Sequence, residues 1–287
     1  MPLPEPPPEG STPLPPDTYA GRVVMVTGGG TGLGKAIATE FARLGAAVAV
    51  VSRGDEHRAA GIAACEAVGA RAIGVACDIR DAAQVEAAFD AIEVGLGPVD
   101  VLVNNAAGNF PVPAEDLSPN GWRAVTQSVL DGTFFCSREL ARRAIAAERP
   151  GSIVNIGASY AWTGGPGFAH SAAAKAGVKN LTETLAVEWG PYGIRVNGLV
   201  PGLIPHADEA EHIVGAGGVP GRGRAEDRRV PAGRVGTPRE LAWAAVFLCS
   251  PWGVYISGHT LVVDGANWQR RAMLLPEFTP IREQLGR

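Results

Sequence analysis

The chain has 287 residues, 46% of them hydrophobic and 19% charged, which supplies enough apolar side chain for a large core and excludes disorder throughout. Lys and Arg number 25 against 29 Asp and Glu, and the resulting formal charge of -4 argues against a general nucleic-acid binder. The four cysteines stand far apart with no CxxC pair, and the sequence shows neither a membrane-length apolar run nor a basic-then-apolar leader. A reducing compartment, the cytoplasm by default, is therefore expected.

Eight of the 23 prolines fall within residues 1–16, so residues 1–20 read as a disordered, Pro-rich lead. From there the pattern alternates. Residues 22–27 (RVVMVT) form a buried strand, and 32–45 a helix with Ile37 and Phe41 inward. A second strand at 47–51 and a helix at 55–68 follow, then a third strand at 71–77. The helix at 81–95 clusters Val85, Ala88, Phe89 and Ile92, and 99–104 is the fourth strand. A long helical region runs over about 118–147, with a strand at 151–156, a helix at 172–189 and a strand at 194–199. A helix at 237–249 and a last strand at 260–263 complete the pattern. Short apolar strands joined by helices predict an α/β fold, a single doubly wound parallel sheet covered on both faces. One domain over 21–269 is expected, with a substrate loop at about 203–234 and a tail at 270–287.

The first strand leads into Thr27-Gly28-Gly29-Gly30-Thr31-Gly32-Leu33-Gly34. A strand, a glycine turn and a helix bring backbone N–H groups and a helix N-terminus up to a dinucleotide's diphosphate. The spacing is neither GxGxxG nor a Walker loop. An acidic residue ending the second strand would bind the ribose hydroxyls of NAD; here the strand ends Val51-Ser52-Arg53. Arg53 and Ser52 suit a 2'-phosphate, which favours NADP(H), although Arg53 could also be a solvated surface arginine and Asp55 lies nearby. Asp78 is placed to meet the adenine edge or to cap the next turn.

These residues, TGGGTGLG at 27–34 and Asp78, are joined by NNAAG at 104–108, Lys175, PG at 201–202 and ISGHTLVVDG at 256–265. Together they resemble the short-chain dehydrogenase/reductase family over nearly all of residues 21–268. The resemblance implies a Rossmann fold and a nicotinamide cofactor held by Gly28, Thr31, Gly32, Leu33, Gly34, Ser52, Arg53, Asp78 and Ile79. It extends that set to Asn105, Ala106, Lys175, Pro201, Gly202 and Ile204. Three positions depart from the family pattern: Ser171 stands for the catalytic tyrosine, Ala158 for the upstream serine and Val129 for the helix asparagine. A serine hydroxyl is a far weaker acid than a phenol of pKa near 10, so ordinary ketone reduction is disfavoured.

The departures resemble the 2,4-dienoyl-CoA reductase branch, as do NNAAGNF at 104–110, SPNGW at 118–122, Tyr160 and AVEWG at 186–190. That likeness implies that Asn109 and Tyr160 bind a thioester carbonyl, that Lys175 holds the nicotinamide ribose with Ser171 beside it, and that the protein is a homotetramer. The substrate would be an acyl-CoA, reduced by NADPH from 2,4-dienoyl-CoA to 3-enoyl-CoA. Asp264 is a secondary candidate or a structural cap. Arg222, Arg224, Arg228 and Arg229 would meet coenzyme A phosphates or face solvent, Arg80 is a further phosphate candidate, and Phe110, Trp162 and Phe168 are candidates for an acyl slot. His170 beside Ser171 suggests a nucleophile pair, but adjacent residues rarely face each other and no orienting carboxylate is evident. The five histidines show no metal spacing, so no metal is expected, and neither is a membrane or nucleic-acid partner. A reductase for another carbonyl or enoyl substrate and a non-catalytic dinucleotide binder are the alternatives.

Overall fold

The computed structural model describes residues 2–206, 230–269 and 281–286. Seven strands form a single parallel sheet: β1 (Val23–Thr27), β2 (Ala47–Ser52), β3 (Ala72–Ala76), β4 (Val101–Asn104), β5 (Gly151–Ile156), β6 (Ile194–Pro201) and β7 (Thr260–Val263). Their spatial order is β3-β2-β1-β4-β5-β6-β7, so the winding reverses between β1 and β4. The strands β1, β4 and β5 are buried along their whole length, as continuous apolar runs covered on both faces must be.

One face is covered by α1 (Gly32–Arg43) and, further along the chain, by a helix at Pro238–Cys249; here Ile37, Phe41, Leu241 and Val246 pack on Val24, Val26 and Val48. After α2 (Asp55–Glu66), the other face takes α3 (Ala82–Gly95), α4 (Pro119–Thr126), α5 (Gly132–Ala146), the short α6 (Tyr160–Thr163) and α7 (Ala169–Trp189). Phe89, Ile92, Leu140, Leu185 and Trp189 fill that second core. The helix at Pro238–Cys249 is therefore α8, started by a capping box in which Thr237 accepts from the Glu240 N–H and Glu240 accepts from the Thr237 N–H.

The long helical region at 118–147 is α4 and α5 joined by a π turn at Gln127–Asp131. It starts where Ser118 accepts from the Gly121 N–H at 3.0 Å with Pro119 in the first turn. The helix expected at 172–189 begins three residues earlier, which puts Ser171 in its first turn. The Pro-rich lead, expected to be disordered, carries no helix or strand from residue 2 onward but is docked at both ends. Leu14 and Tyr19 are buried, Tyr19 stands edge-on to Phe41 at 4.8 Å, and the Leu3 N–H donates to the Ala232 carbonyl at 2.7 Å. Of the expected loop at 203–234, residues 207–229 lie outside the described residues, and so do Arg222, Arg224, Arg228 and Arg229.

Between α3 and α5 lies a group of ion pairs. Glu139 is buried and accepts from Arg142 at 2.7 Å and Arg143 at 2.6 Å, while Arg143 also reaches Asp90 at 2.7 Å and Glu93 at 3.0 Å. Burial pushes the Glu139 carboxyl up, but the two guanidinium groups outweigh it and hold the carboxyl below its ordinary value. A lowered carboxyl pKa adds stability that is complete above the unfolded value and fades as pH falls through the folded one. Arg143→Ala should therefore cost about 3 kcal/mol of unfolding free energy at pH 7, measured by urea titration. The difference from wild type should narrow by pH 3; an equal cost at both pH values would reject the assignment.

Candidate functional site

Because the winding reverses between β1 and β4, the loops that follow these strands part and leave a crevice at their carboxyl ends. Its volume is about 980 Å³. The glycine turn forms its floor, with Gly28, Thr31, Gly32, Leu33 and Gly34 all on its wall. Gly28 has φ +64°, and a Cβ there would lie 2.9 Å from Asn105 Nδ2, so only glycine serves. Ser52, Arg53, Asp78 and Ile79 line one end; Asn105, Ala106 and Asn109 line another stretch. With Arg80 and Phe110, fourteen of the residues expected to serve a cofactor or substrate thus share one crevice. The glycine turn at a helix N-terminus, with room kept open where side chains would intrude, fits a dinucleotide's diphosphate.

Details at the ribose end bear on charge. Asp55 pairs with Arg58, whose guanidinium also donates to the Ser52 and Arg53 carbonyls at 2.7 and 2.8 Å. Arg80 Nε donates to both oxygens of Asp78, at 2.9 and 3.0 Å. That bond, with Arg53 nearby, holds the Asp78 carboxyl below its usual range. Among the described residues the Arg53 guanidinium has no ion-pair partner. The Asn105 carboxamide is committed internally, donating to the carbonyls of Thr27 and Gly28 at 3.1 and 3.2 Å.

The second group of expected residues lies on α6 and α7. The Tyr160 phenol and the Ser171 hydroxyl are 2.9 Å apart, and either can donate. Burial raises the Tyr160 pKa despite that bond, so the phenol stays protonated at neutral pH and remains a donor. One turn along α7, Lys175 is buried and its ammonium donates to the Ile156 carbonyl. Burial pushes its pKa down to about 8. Asn109 comes from the loop after β4, and its carboxamide oxygen accepts from the Phe110 N–H at 3.0 Å, which leaves the NH₂ group as the donor. The two loops are tied together, since the Val112 N–H donates to the Gly167 carbonyl at 2.9 Å and Phe110 stands edge-on to His170 at 4.6 Å. His170 takes its Nδ1 to the Ser171 N–H, a helix-start contact that leaves no nucleophile geometry with the Ser171 hydroxyl.

Most of the other expected residues, Tyr160, Ser171 and Lys175 among them, do not line the crevice. The Ile204 side chain is buried in the α1–α8 core, and Gly202 packs against Asp264, to whose neighbour Val263 it donates at 2.9 Å. Pro201 ends β6 in register with Val263. Asp264 accepts from the Trp268 N–H, a turn cap. The three acyl-slot aromatics are dispersed: Phe110 on the crevice wall, Phe168 stacked parallel to Tyr160 at 6.5 Å, Trp162 against Trp268 at 5.0 Å. Val129, in the π turn, is buried with Val125, Ala174 and Val178. Sequence reasoning missed His57, whose carbonyl closes over Gly30, and His206, which also lines the crevice. Only the position of His206 just past Pro201-Gly202 marked it out.

A sheet of this order with a glycine-floored crevice at its switch point defines a dinucleotide-binding fold of the Rossmann type. A family model described as enoyl-(acyl carrier protein) reductase matches residues 28–266, and the chain belongs to the short-chain dehydrogenase/reductase family. It is 45% identical to a Bacillus subtilis (strain 168) protein named probable 2,4-dienoyl-CoA reductase [(2E)-enoyl-CoA-producing], over 86% of this chain and 96% of that one. It is 36% identical to the Arabidopsis thaliana peroxisomal 2,4-dienoyl-CoA reductase [(3E)-enoyl-CoA-producing], over 93% and 91% of the two chains. Among solved structures, a short chain dehydrogenase from Bacillus anthracis str. 'Ames Ancestor' superposes with TM-score 0.79 at 43% identity, covering 86% of this chain and 96% of that one.

The buried lysine gives a test. With its pKa lowered to about 8 in the fold, the unfolded chain holds more protons between pH 8 and the unfolded value, so stability rises through that window. Below it the burial penalty is complete. Lys175→Met should stabilise the protein at pH 7 by about 2 kcal/mol, net of the lost bond to Ile156, with the gain shrinking toward pH 10.5. Denaturant melts across that range check it; a loss of stability at pH 7 would refute it.

Proposed function

We propose that the chain is an NADPH-dependent 2,4-dienoyl-CoA reductase. The observation that carries the reading is the Tyr160–Ser171 hydroxyl pair beside buried Lys175, with the phenol's pKa raised. Such a phenol is a neutral hydrogen-bond donor, suited to an oxygen that gains charge during reaction and poorly suited to giving up its own proton. The names of the Bacillus subtilis and Arabidopsis thaliana relatives support the same substrate class.

NADPH, when bound, supplies the hydride for the far alkene carbon of the dienoyl thioester. Addition there pushes charge onto the thioester oxygen as an extended dienolate. The Tyr160 phenol and the Asn109 NH₂ group stabilise that oxygen, Ser171 donates to the phenol and so frees its hydrogen for substrate, and Lys175 holds the nicotinamide ribose. Protonation at the α-carbon gives the 3-enoyl thioester. The same dienolate protonated at the γ-carbon gives the 2-enoyl product, a second reading favoured by the name of the Bacillus subtilis relative. The preference for NADPH is supported at the ribose end: Asp55 is engaged by Arg58, which leaves the Arg53 guanidinium to a 2'-phosphate, beside the Ser52 hydroxyl that donates to the Gly54 carbonyl at 3.3 Å. From the family resemblance the reading also takes the protein as a cytoplasmic homotetramer. Among the described residues, no helix is long and apolar enough to cross a membrane.

NADPH oxidation with 2,4-hexadienoyl-CoA tests the activity, and NMR of the product separates the 3-enoyl from the 2-enoyl outcome. Tyr160→Phe and Asn109→Ala should each lower kcat by about 100- to 1000-fold while NADPH still binds; full turnover in both would overturn the roles. Arg53→Ala should raise the Kd of NADPH by roughly tenfold or more and leave that of NADH nearly unchanged. Equal effects on the two cofactors would dismiss the 2'-phosphate contact.

A further inference from the structure

The crevice contains a polar side chain, an imidazole, that the proposed reaction does not use. His206 lies five residues beyond the end of β6, and its imidazole sits over the first residue of α1. A Cβ built on Gly32 would lie 2.9 Å from Cε1, 3.1 Å from Nδ1 and 3.2 Å from Nε2 of that ring. Gly32 is needed there twice over, for its φ of +50° and for the space the imidazole fills. The segment that delivers the ring is anchored just ahead of it. The Gly202 N–H donates to the Val263 carbonyl at 2.9 Å, the Gly236 N–H to the Leu203 carbonyl at 3.0 Å, and the Ile204 side chain is buried in the core.

His206 Nδ1 is buried and has no hydrogen-bond partner. A buried ring nitrogen left without a partner forfeits its hydration and gains nothing in return, so such groups call for an explanation. The surroundings supply one. The ring shares the crevice wall with Gly28, Thr31 and Gly34, and α1 begins beneath it with no acidic residue in its first turn and no side-chain bond from its cap residue, Thr31. Helix starts of this kind favour anions. An imidazole can carry its proton on either nitrogen, and an anion beside Nδ1 selects the Nδ1–H form.

We propose that His206 is a cofactor-binding residue that donates from Nδ1 to the diphosphate of the dinucleotide, covering from above what the glycine turn cradles from below. The inference rests on the reading of this crevice as a dinucleotide site, and it is indifferent to the 2'-phosphate, which lies at the Arg53 end. It assigns His206 to the part of the cofactor common to NADPH and NADH.

Titration calorimetry of the full chain with three probes tests it: NADPH, ADP-ribose (which keeps the diphosphate) and adenosine 2'-monophosphate (which lacks it). His206→Ala should bind NADPH and ADP-ribose roughly tenfold more weakly, about 1.4 kcal/mol, and adenosine 2'-monophosphate as wild type does. His206→Gln, which keeps an N–H donor, should recover part of the loss and serves as the second variant if the alanine form does not fold. Unchanged ADP-ribose affinity in both variants would overturn the assignment, as would an equal loss for adenosine 2'-monophosphate, since that would report a damaged crevice. Should wild type bind neither NADPH nor ADP-ribose, the dinucleotide reading itself fails and this inference with it; wild-type binding with unaffected variants removes His206 alone.

Discussion

One hydroxyl and one carboxamide hold open the gap on which the whole site depends. Thr27, last in β1, accepts from the Asn105 and Ala106 N–H groups at 3.0 and 3.1 Å, and Asn105 returns its amide to the Thr27 and Gly28 carbonyls. These bonds join the ends of β1 and β4 just where the winding reverses, so the two loops cannot close on each other or drift apart. The glycines follow from the same brace. A Cβ on Gly34 would fall 2.3 Å from the Asn105 amide nitrogen and from the Gly28 carbonyl oxygen. The protein's own carboxamide thus demands part of the glycine pattern, quite apart from any phosphate.

A second polar assembly ties the sheet to α7. Asn104 donates to Ser137 and to Asn155, both at 2.9 Å, and Asn155 donates to Thr182 at the same distance. Ser137, Asn155 and Thr182 are fully or almost fully buried. In a low-dielectric interior such bonds are strong when made and costly when missing, which fixes the seating of α7 on β4 and β5. That seating sets where Ser171 and Lys175 stand relative to the crevice. The nucleotide floor and the hydroxyl pair are therefore registered to one another through buried side-chain bonds as well as through apolar packing.

Much of this was legible in the sequence for a physical reason: strand and helix periods report which face is apolar, and the glycine turn reports where backbone must approach closely. Hence the seven strands and most of their helices were foreseen within a residue or two, though α7 begins three residues early and α6 was not foreseen. What escaped depends on contacts between distant residues. No local pattern in AHSAAAK marks where α7 starts, because alanine suits a helix at every position and no capping side chain intervenes. The capture of Asp55 by Arg58 removes a rival for Arg53, yet all three residues look alike as surface charges in a sequence. Leu14 and Tyr19 looked like part of a disordered stretch because contacts that dock them are non-local; the Tyr19 hydroxyl donates to the Val246 carbonyl across a separation of 227 residues. Of the site, the positions of Ser171 and Tyr160 were legible by resemblance, while their hydrogen bond and its effect on the phenol required coordinates.

The docking of the lead has a consequence for biosynthesis. Proline offers a carbonyl but no N–H, so the lead presents acceptors, which Arg234 and Arg239 meet at Pro4 and Pro7. Those arginines, like the α8 residues that cover Phe41 and Leu44, are translated about two hundred residues after the elements they meet. A ribosome-bound chain has already made β1, α1 and β2 while one side of that layer still lacks its cover, and this apolar surface waits for α8, which lies far downstream. The lead thus finds its place only after more than two hundred further residues have followed it.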